Sequence, residues 1–200
     1  MKQLLTFILV ASGIIANAQS ATLTPGTAAP VFALKNVDGK LVSFSTMALS
    51  KGYIVVFTCN TCPYAKAYEQ RIIDLNAKYA SMGFPVIAIN PNDPEVSKGD
   101  SFESMVERSK EKKYSFPYLY DDGQKATNDY GAKNTPHIFL VKHSGDENII
   151  IYTGSIDNDP ENNKADKINY LENAIAATID GKTPEIATTK AIGCTVKRKK

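Results

Sequence analysis

The apolar residues in the first half of the chain follow a strand, helix, strand pattern. Residues 53–57 and 84–89 are continuous apolar runs rich in β-branched side chains, which is typical of strands buried on both faces. Between them, apolar residues recur at helical spacing from Ala65 to Tyr79, and a glycine, Gly83, follows. Crossovers between parallel strands are almost always right-handed, so this segment predicts a right-handed βαβ unit.

Shorter patterns on either side complete the predicted fold. Two β-hairpins are expected, one around the Asp38-Gly39 turn and one around residues 144–146. The other predicted elements are hairpin strands at 31–34, 41–44, 137–141 and 148–152, a short strand at 118–120, and helices at 101–112, 125–130 and 167–179. The sequence therefore predicts an α/β domain with a central mixed sheet flanked by helices and an N-terminal β-hairpin.

The first residues of the chain have the pattern of a secretory signal peptide. Lys2 supplies the positive charge, residues 4–15 are mostly apolar, and Ala16-Asn17-Ala18 is a small-x-small cleavage site. The apolar run is shorter than the roughly 20 residues of a membrane-spanning helix, although an uncleaved N-terminal anchor is the alternative. We expect cleavage after Ala18, export to the periplasm or the extracellular space, no stable membrane insertion afterwards, and one domain at 25–200.

The charge balance gives no reason to expect a polyanionic partner. The formal net charge of +2 falls to +1 when residues 1–18 are removed, because they hold one lysine and no acid. A nearly neutral chain favours neither nucleic acid nor an anionic membrane surface. We interpret the basic end, residues 197–200, as a solvated tail.

The chemically informative motif is Cys59-Asn60-Thr61-Cys62, which lies between a predicted buried strand and a predicted helix. A cysteine at a helix N-terminus has a lowered pKa, because the unpaired N–H groups and the helix dipole favour the thiolate. This placement predicts Cys59 as the attacking sulfur. Cys62, one turn later, is then expected to displace the captured partner and complete the exchange.

Two other interpretations of the cysteine pair remain open. A structural zinc site would need four ligands, and only Cys194, His137 and His143 could add to the pair, none at ligand spacing. A purely structural bridge between Cys59 and Cys62 would close so small a loop that it would constrain the unfolded chain little. We therefore expect no metal and no cofactor.

Four segments resemble those of one known group, the thioredoxin-like proteins of the alkyl hydroperoxide reductase/thiol-specific antioxidant (peroxiredoxin-like) family. They are residues 29–34 with 38–40, residues 57–64 with the C-x-x-C-P sequence, residues 135–140, and residues 193–197. The resemblance covers about residue 25 to the C-terminus and implies a thioredoxin-like fold. It also implies that Pro136 is cis and faces the cysteines, so that the backbone of Thr135 can pair with a partner's extended peptide.

The resemblance is incomplete where peroxide chemistry is concerned. Peroxiredoxins carry Pro and Thr seven and three positions before the attacking cysteine. Those positions hold Gly52 and Val56 relative to Cys59, and Val55 and Cys59 relative to Cys62, so neither register fits. We therefore expect a thiol-disulfide oxidoreductase that exchanges disulfides with partner proteins and an upstream redox partner. Peroxide reduction at the same cysteines and a non-catalytic thioredoxin-fold binding module are the alternatives.

Three further features lie outside the motif. His137 follows Pro136, and a protonated imidazole there would stabilise a thiolate, although strand alternation could point it elsewhere. Cys194 is either a third redox thiol or an inert buried cysteine, and we favour the inert interpretation. The segment 90–113 is long for a connector, which indicates that it borders a functional surface.

Overall fold

A computed structural model describes residues 20–47 and 50–199, so the predicted signal peptide lies outside the described residues. The elements in chain order are β1 (Leu34–Asn36), β2 (Leu41–Val42), β3 (Gly52–Phe57), α1 (Pro63–Tyr79), β4 (Val86–Asn90), α2 (Phe102–Lys112), β5 (Tyr118–Tyr120), α3 (Lys125–Tyr130), β6 (Asn134–Thr135), β7 (His137–Ser144), β8 (Glu147–Gly154), α4 (Tyr170–Ile179) and β9 (Cys194–Thr195).

A seven-stranded mixed sheet forms the centre of the molecule. Its strand order is β2-β1-β5-β4-β3-β7-β8. Strands β3, β4 and β5 are parallel, whereas β7 and β8 continue the sheet as an antiparallel hairpin on one side and β1 joins β5 antiparallel on the other. The predicted βαβ unit and the predicted thioredoxin-like α/β class are both confirmed.

The central strands are buried on both faces, which explains their continuous apolar sequence. In β3, Ile54 and Val56 pack on the side of α1 and α4, while Tyr53, Val55 and Phe57 pack on the side of α3 and the N-terminal segment. The same alternation continues through β4 and β7. Cys59 therefore follows a strand that is held rigidly by packing on both sides.

Two predicted elements have different bounds in the structure. The N-terminal hairpin pairs only β1 with β2, and Val31, expected to begin a strand, is 81% exposed. The last helix begins at Tyr170 rather than at residue 167, because Ile168 belongs to a loop in which its N–H is bonded to the Asn158 side chain. The small β6–β9 sheet was not predicted at all.

A charged cluster ties α1 to the loop that precedes α4. Arg71 on α1 donates to Asp157 Oδ2 at 2.7 Å and to the carbonyl oxygens of Asp159 and Pro160. Tyr68 donates to the other Asp157 oxygen at 2.9 Å. Asp157 is 1% exposed, so its charge depends on these partners. The cluster fixes the face of α1 that packs against the sheet.

Within the described part of the chain, no helix is both long enough and apolar enough to cross a membrane.

Candidate active site

Cys62, not Cys59, occupies the N-terminal end of the active-site helix. Helix α1 begins at Pro63, and Cys62 is its N-cap residue. Cys59 lies in the loop between β3 and the helix. The expectation that Cys59 has the helix-end position is therefore wrong, and the effect of the helix dipole falls on Cys62.

Thr135 contacts both sulfurs of the pair. The Cys59 thiol donates to Thr135 Oγ1 at 3.3 Å, and the Cys62 thiol donates to the Thr135 carbonyl oxygen at 3.1 Å. Thr135 is completely buried, and the Thr135-Pro136 peptide bond is cis, as predicted. The loop that the resemblance implied thus lies directly against the cysteines.

The backbone edge of Thr135 is already occupied by the chain's own C-terminal strand. β9 pairs antiparallel with β6, with Thr135 opposite Cys194 and Asn134 opposite Thr195. Gly193 permits this approach, because a Cβ atom there would lie 2.2 Å from the Thr135 carbonyl oxygen. The predicted open edge for a partner's peptide is corrected accordingly: β9 fills it.

The residues after β9 are docked rather than free. Val196 donates to the Lys133 carbonyl oxygen at 3.0 Å. Lys197 donates through its N–H to Asn92 Oδ1 at 2.8 Å, and its carbonyl oxygen accepts from the Asp93 N–H and the Gln124 side chain. Arg198 bonds to Asn128 and to the Ala132 carbonyl oxygen, so the interpretation of residues 197–199 as a solvated tail is wrong.

The docked strand brings Cys194 to the other two cysteines. Cys194 packs against the buried cluster formed by Cys59, Cys62 and Ala65. Its thiol interacts with Cys62 and lies near the backbone of Tyr64 in the first turn of α1. Cys59 and Cys62 are buried, whereas Cys194 is half-buried.

The surroundings of the pair move the pKa values of the two thiols in opposite directions. The neighbouring Cys59 thiol, and to a smaller extent Cys194 and the Ala65 backbone, hold the pKa of Cys62 below its usual range. The hydrogen bond to Cys62, burial and the negative charge of Asp100 raise the pKa of Cys59.

One contact opposes the lowering of the Cys62 pKa. The 3.1 Å contact between the Cys62 sulfur and the Thr135 carbonyl oxygen is a hydrogen bond only while Cys62 keeps its proton. It disfavours ionisation of Cys62, whereas the helix N-terminus favours it. The directions of the two pKa shifts favour ionisation of Cys62 over that of Cys59.

Asp100 organises the two residues between the cysteines, and no sequence pattern identified it. This carboxylate is fully buried and accepts from the Asn60 N–H at 2.7 Å and the Thr61 hydroxyl at 2.7 Å. It also accepts from Asn92 Nδ2 and the Ser97 hydroxyl. Four donors stabilise the buried charge. The long segment 90–113 does border the site, as its length indicated.

His137 does not have the charge that a thiolate-stabilising role requires. Burial, together with the positive charge of Lys133, lowers the pKa of His137 to about 4. Its ring nitrogens pair with the Lys133 N–H at 3.4 Å and the Thr153 hydroxyl at 3.2 Å. His137 is therefore neutral at pH 7, and its ring is hydrogen-bonded to Thr153 of β8 and to the Lys133 backbone.

A cavity of about 760 Å³ lies beside the C-terminal segment and is bordered by Tyr64, His137, Lys190 and Gly193, while none of the three cysteines lines it. Across the described residues, no group of three or more His, Cys, Asp or Glu side chains is arranged to hold a metal ion.

Comparison with known proteins identifies a family that this chain matches. Residues 25–151 match the AhpC/TSA family. Thiol-disulfide oxidoreductase ResA of Halalkalibacterium halodurans is 26% identical over 131 residues, which are 66% of this chain and 69% of that protein.

Two solved structures are similar over almost the whole chain. An uncharacterised conserved protein of Geobacillus kaustophilus has a TM-score of 0.80 and 32% identity, covering 88% of this chain and 92% of its own. A hypothetical protein of Sinorhizobium meliloti has a TM-score of 0.81 and 31% identity, covering 90% and 98%. The chain belongs to the AhpC/TSA family and is an oxidoreductase.

Proposed function

We propose that the protein exchanges disulfides with partner proteins in the cell envelope through Cys59 and Cys62. The observation that carries the proposal is the position of Cys62 at the N-terminus of α1, with Cys59 in the same buried cluster. A thiolate stabilised in this way is the attacking species of thiol-disulfide exchange. A neighbouring thiol on the same chain can then displace whatever the thiolate captures.

The exchange proceeds in two steps that balance. The Cys62 thiolate attacks one sulfur of the partner's disulfide, a mixed disulfide forms, and the partner's other sulfur leaves and takes up a proton. Cys59 then loses its proton and attacks the Cys62 sulfur, so that the Cys59–Cys62 bond forms and the reduced partner is released. A dithiol protein upstream restores the reduced state by the reverse steps.

In this proposal the two sulfurs have the reverse of the roles expected from the sequence. The attacking role goes to Cys62 because its pKa is lowered, whereas the raised pKa of Cys59 suits a thiol that acts second. Thr135 and Pro136 keep a place in the site. Their contribution is to hold both sulfurs through the Thr135 hydroxyl and carbonyl groups rather than to offer a free backbone edge.

The cell-envelope location rests on the signal-like sequence of residues 1–18 and on the oxidising character of compartments outside the cytoplasm. Peroxide reduction is the second candidate, because the AhpC/TSA match favours it. It would need donors that stabilise the leaving oxygen of the peroxide, and residues 55 and 59 do not supply the usual Pro and Thr.

Two assays on the same preparation separate these candidates. We expect the reduced full chain to reduce insulin disulfides in the presence of dithiothreitol, and Cys62→Ser to lose this activity. Peroxide consumption with the same reductant should stay near the uncatalysed rate. Rapid peroxide consumption without insulin reduction would replace the proposal with the peroxidase. Absence of both activities, with partner binding retained in Cys59→Ser, would indicate a binding module.

A further inference from the structure

The three cysteines form a row with Cys62 in the middle, which a two-cysteine exchange does not need. Cys62 interacts with Cys59 and with Cys194, and Cys194 packs against the buried pair. The sulfurs of Cys62 and Cys194 also lie near the backbone of the first turn of α1, Cys62 beside Ala65 and Cys194 beside Tyr64. The helix end is therefore close to Cys62 and to Cys194.

The position of Cys194 is built by specific contacts rather than by chance packing. Cys194 is the register partner of Thr135, and the Thr135 carbonyl oxygen contacts the Cys62 sulfur at 3.1 Å. On one side of Cys194, the Gly193 carbonyl oxygen accepts from Asn134 Nδ2 at 3.0 Å. On the other side, Val196 donates to the Lys133 carbonyl oxygen at 3.0 Å. These contacts hold the Cys194 thiol beside Cys62.

We propose that Cys62 and Cys194 form a second disulfide of the centre, which exchanges with the Cys59–Cys62 disulfide. In the oxidised protein the Cys194 sulfur, after losing its proton, attacks Cys62. The Cys62–Cys194 bond forms, the Cys59–Cys62 bond breaks, and Cys59 takes up a proton. The step moves a disulfide and changes no oxidation state. It rests on the proposed function, because disulfide exchange with a partner supplies the first disulfide.

The exchange brings the disulfide closer to the surface. Cys59 and Cys62 are buried, whereas Cys194 is half-buried. A partner's thiolate can therefore attack the Cys194 sulfur more readily than either buried sulfur. Cys62 is then the leaving group, and a thiol whose thiolate is stabilised leaves faster. Cys194 would act as the relay between the buried pair and the partner.

The test uses full-length Cys59→Ser and the aromatic disulfide 5,5′-dithiobis(2-nitrobenzoate) as probe. If Cys194 pairs with Cys62, the first mixed disulfide is displaced, a second thiolate of the probe is released, and the product is lighter than the dithiol by two hydrogen atoms. Trypsin should then yield residues 52–66 and 191–197 as one disulfide-linked species. The matched control, Cys59→Ser with Cys194→Ser, should stop at a stable mixed disulfide.

A second variant tests whether the position of Cys194 matters. It keeps the sulfurs of both Cys62 and Cys194. In a Cys59→Ser background, Gly193→Ala places a Cβ atom 2.2 Å from the Thr135 carbonyl oxygen, so β9 must shift. We expect the second release of probe, relative to the first, to slow by roughly a hundredfold, as is typical of an ångström-scale misplacement.

A mixed disulfide that persists in Cys59→Ser, with Cys194 still open to alkylation, would overturn the inference. Insulin reduction by the unsubstituted chain would be unaffected by that outcome, so the proposed function would stand. Failure of the unsubstituted chain to reduce insulin would instead remove the proposed function, whatever Cys59→Ser shows.

Discussion

Thr135 and Cys194 face each other as register partners of a two-stranded sheet, and Thr135 also contacts the sulfurs of Cys59 and Cys62. One buried residue thus positions all three cysteines of the chain. Because β9 occupies the Thr135 edge, the same pairing covers the place where an extended peptide could otherwise add. The C-terminal strand is therefore part of the candidate site.

The first prediction concerns thiol ionisation. In the reduced protein, thiolate absorbance at 240 nm should titrate below the value of about 8.5 for free cysteine. This inflection should be lost in Cys62→Ser, because Cys62 is the thiol whose pKa is lowered, chiefly by its interaction with Cys59. Retention of the low inflection in Cys62→Ser would assign it to another sulfur.

The same ionisation links stability to pH. The pKa of Cys62 is lower in the folded chain than in the unfolded chain, so its contribution is complete above about pH 8.5 and is lost as the pH falls through the folded value. Between those limits, the free energy of unfolding of the reduced protein should rise with pH more steeply than that of Cys62→Ser. Equal slopes in urea unfolding would contradict the lowered pKa.

The second prediction concerns Asp100→Asn. The amide cannot accept from all four donors, so buried polar groups are left unpaired and the free energy of unfolding should fall by about 2 kcal/mol. Removing the negative charge should also lower the pKa of Cys59. Urea unfolding and alkylation of Cys59 as a function of pH measure the two effects. Asp146→Asn, at an exposed turn, is the control and should change neither.

The third prediction concerns His137. Its pKa of about 4 lies below the unfolded value of 6.5, so the unfolded chain binds the proton first as the pH falls. Between pH 7 and pH 4.5 this residue should cost the folded state about 2.5 kcal/mol of stability. His137→Gln should lose correspondingly less stability over that range, whereas His143→Gln, at an exposed position, should behave like the unsubstituted chain. An unchanged pH dependence in His137→Gln would mean that the ring is protonated when folded.

The fourth prediction concerns the cluster that holds α1. Asp157→Asn removes the charge that pairs with Arg71 and should lower the free energy of unfolding by about 3 kcal/mol. Asp129→Asn, which breaks the exposed pair with Lys125, should cost less than about 1 kcal/mol. Similar losses in both variants would show that burial does not strengthen the first pair.

The central fold follows from the sequence because its signals are local and strong. The apolar runs of β3 and β4 and the helical repeat of α1 each identify an element before any tertiary contact is known. The cis bond at Pro136 came from the family resemblance, because the residues alone do not distinguish it from a trans bond.

The site itself depends on contacts that local patterns do not encode. β9 is two residues long and is held by pairing with residues about 60 positions away, so no periodicity marks it. Asp100 reaches Asn60 across a sequence separation of 40 residues. The helix start is different: a proline at the first helical position is a known signal, and Pro63 could have identified Cys62 as the N-cap residue.

The most direct test of the account is the redox equilibrium of Cys194→Ser, in which only Cys59 and Cys62 remain. The full-length variant is equilibrated with mixtures of reduced and oxidised glutathione, quenched with acid and alkylated, and its mass is measured. If Cys59 and Cys62 form the exchanging disulfide, we expect one two-electron transition, from a chain alkylated at both cysteines to a chain alkylated at neither. Chains that carry glutathione on a single cysteine throughout the series, with no internal disulfide, would contradict it.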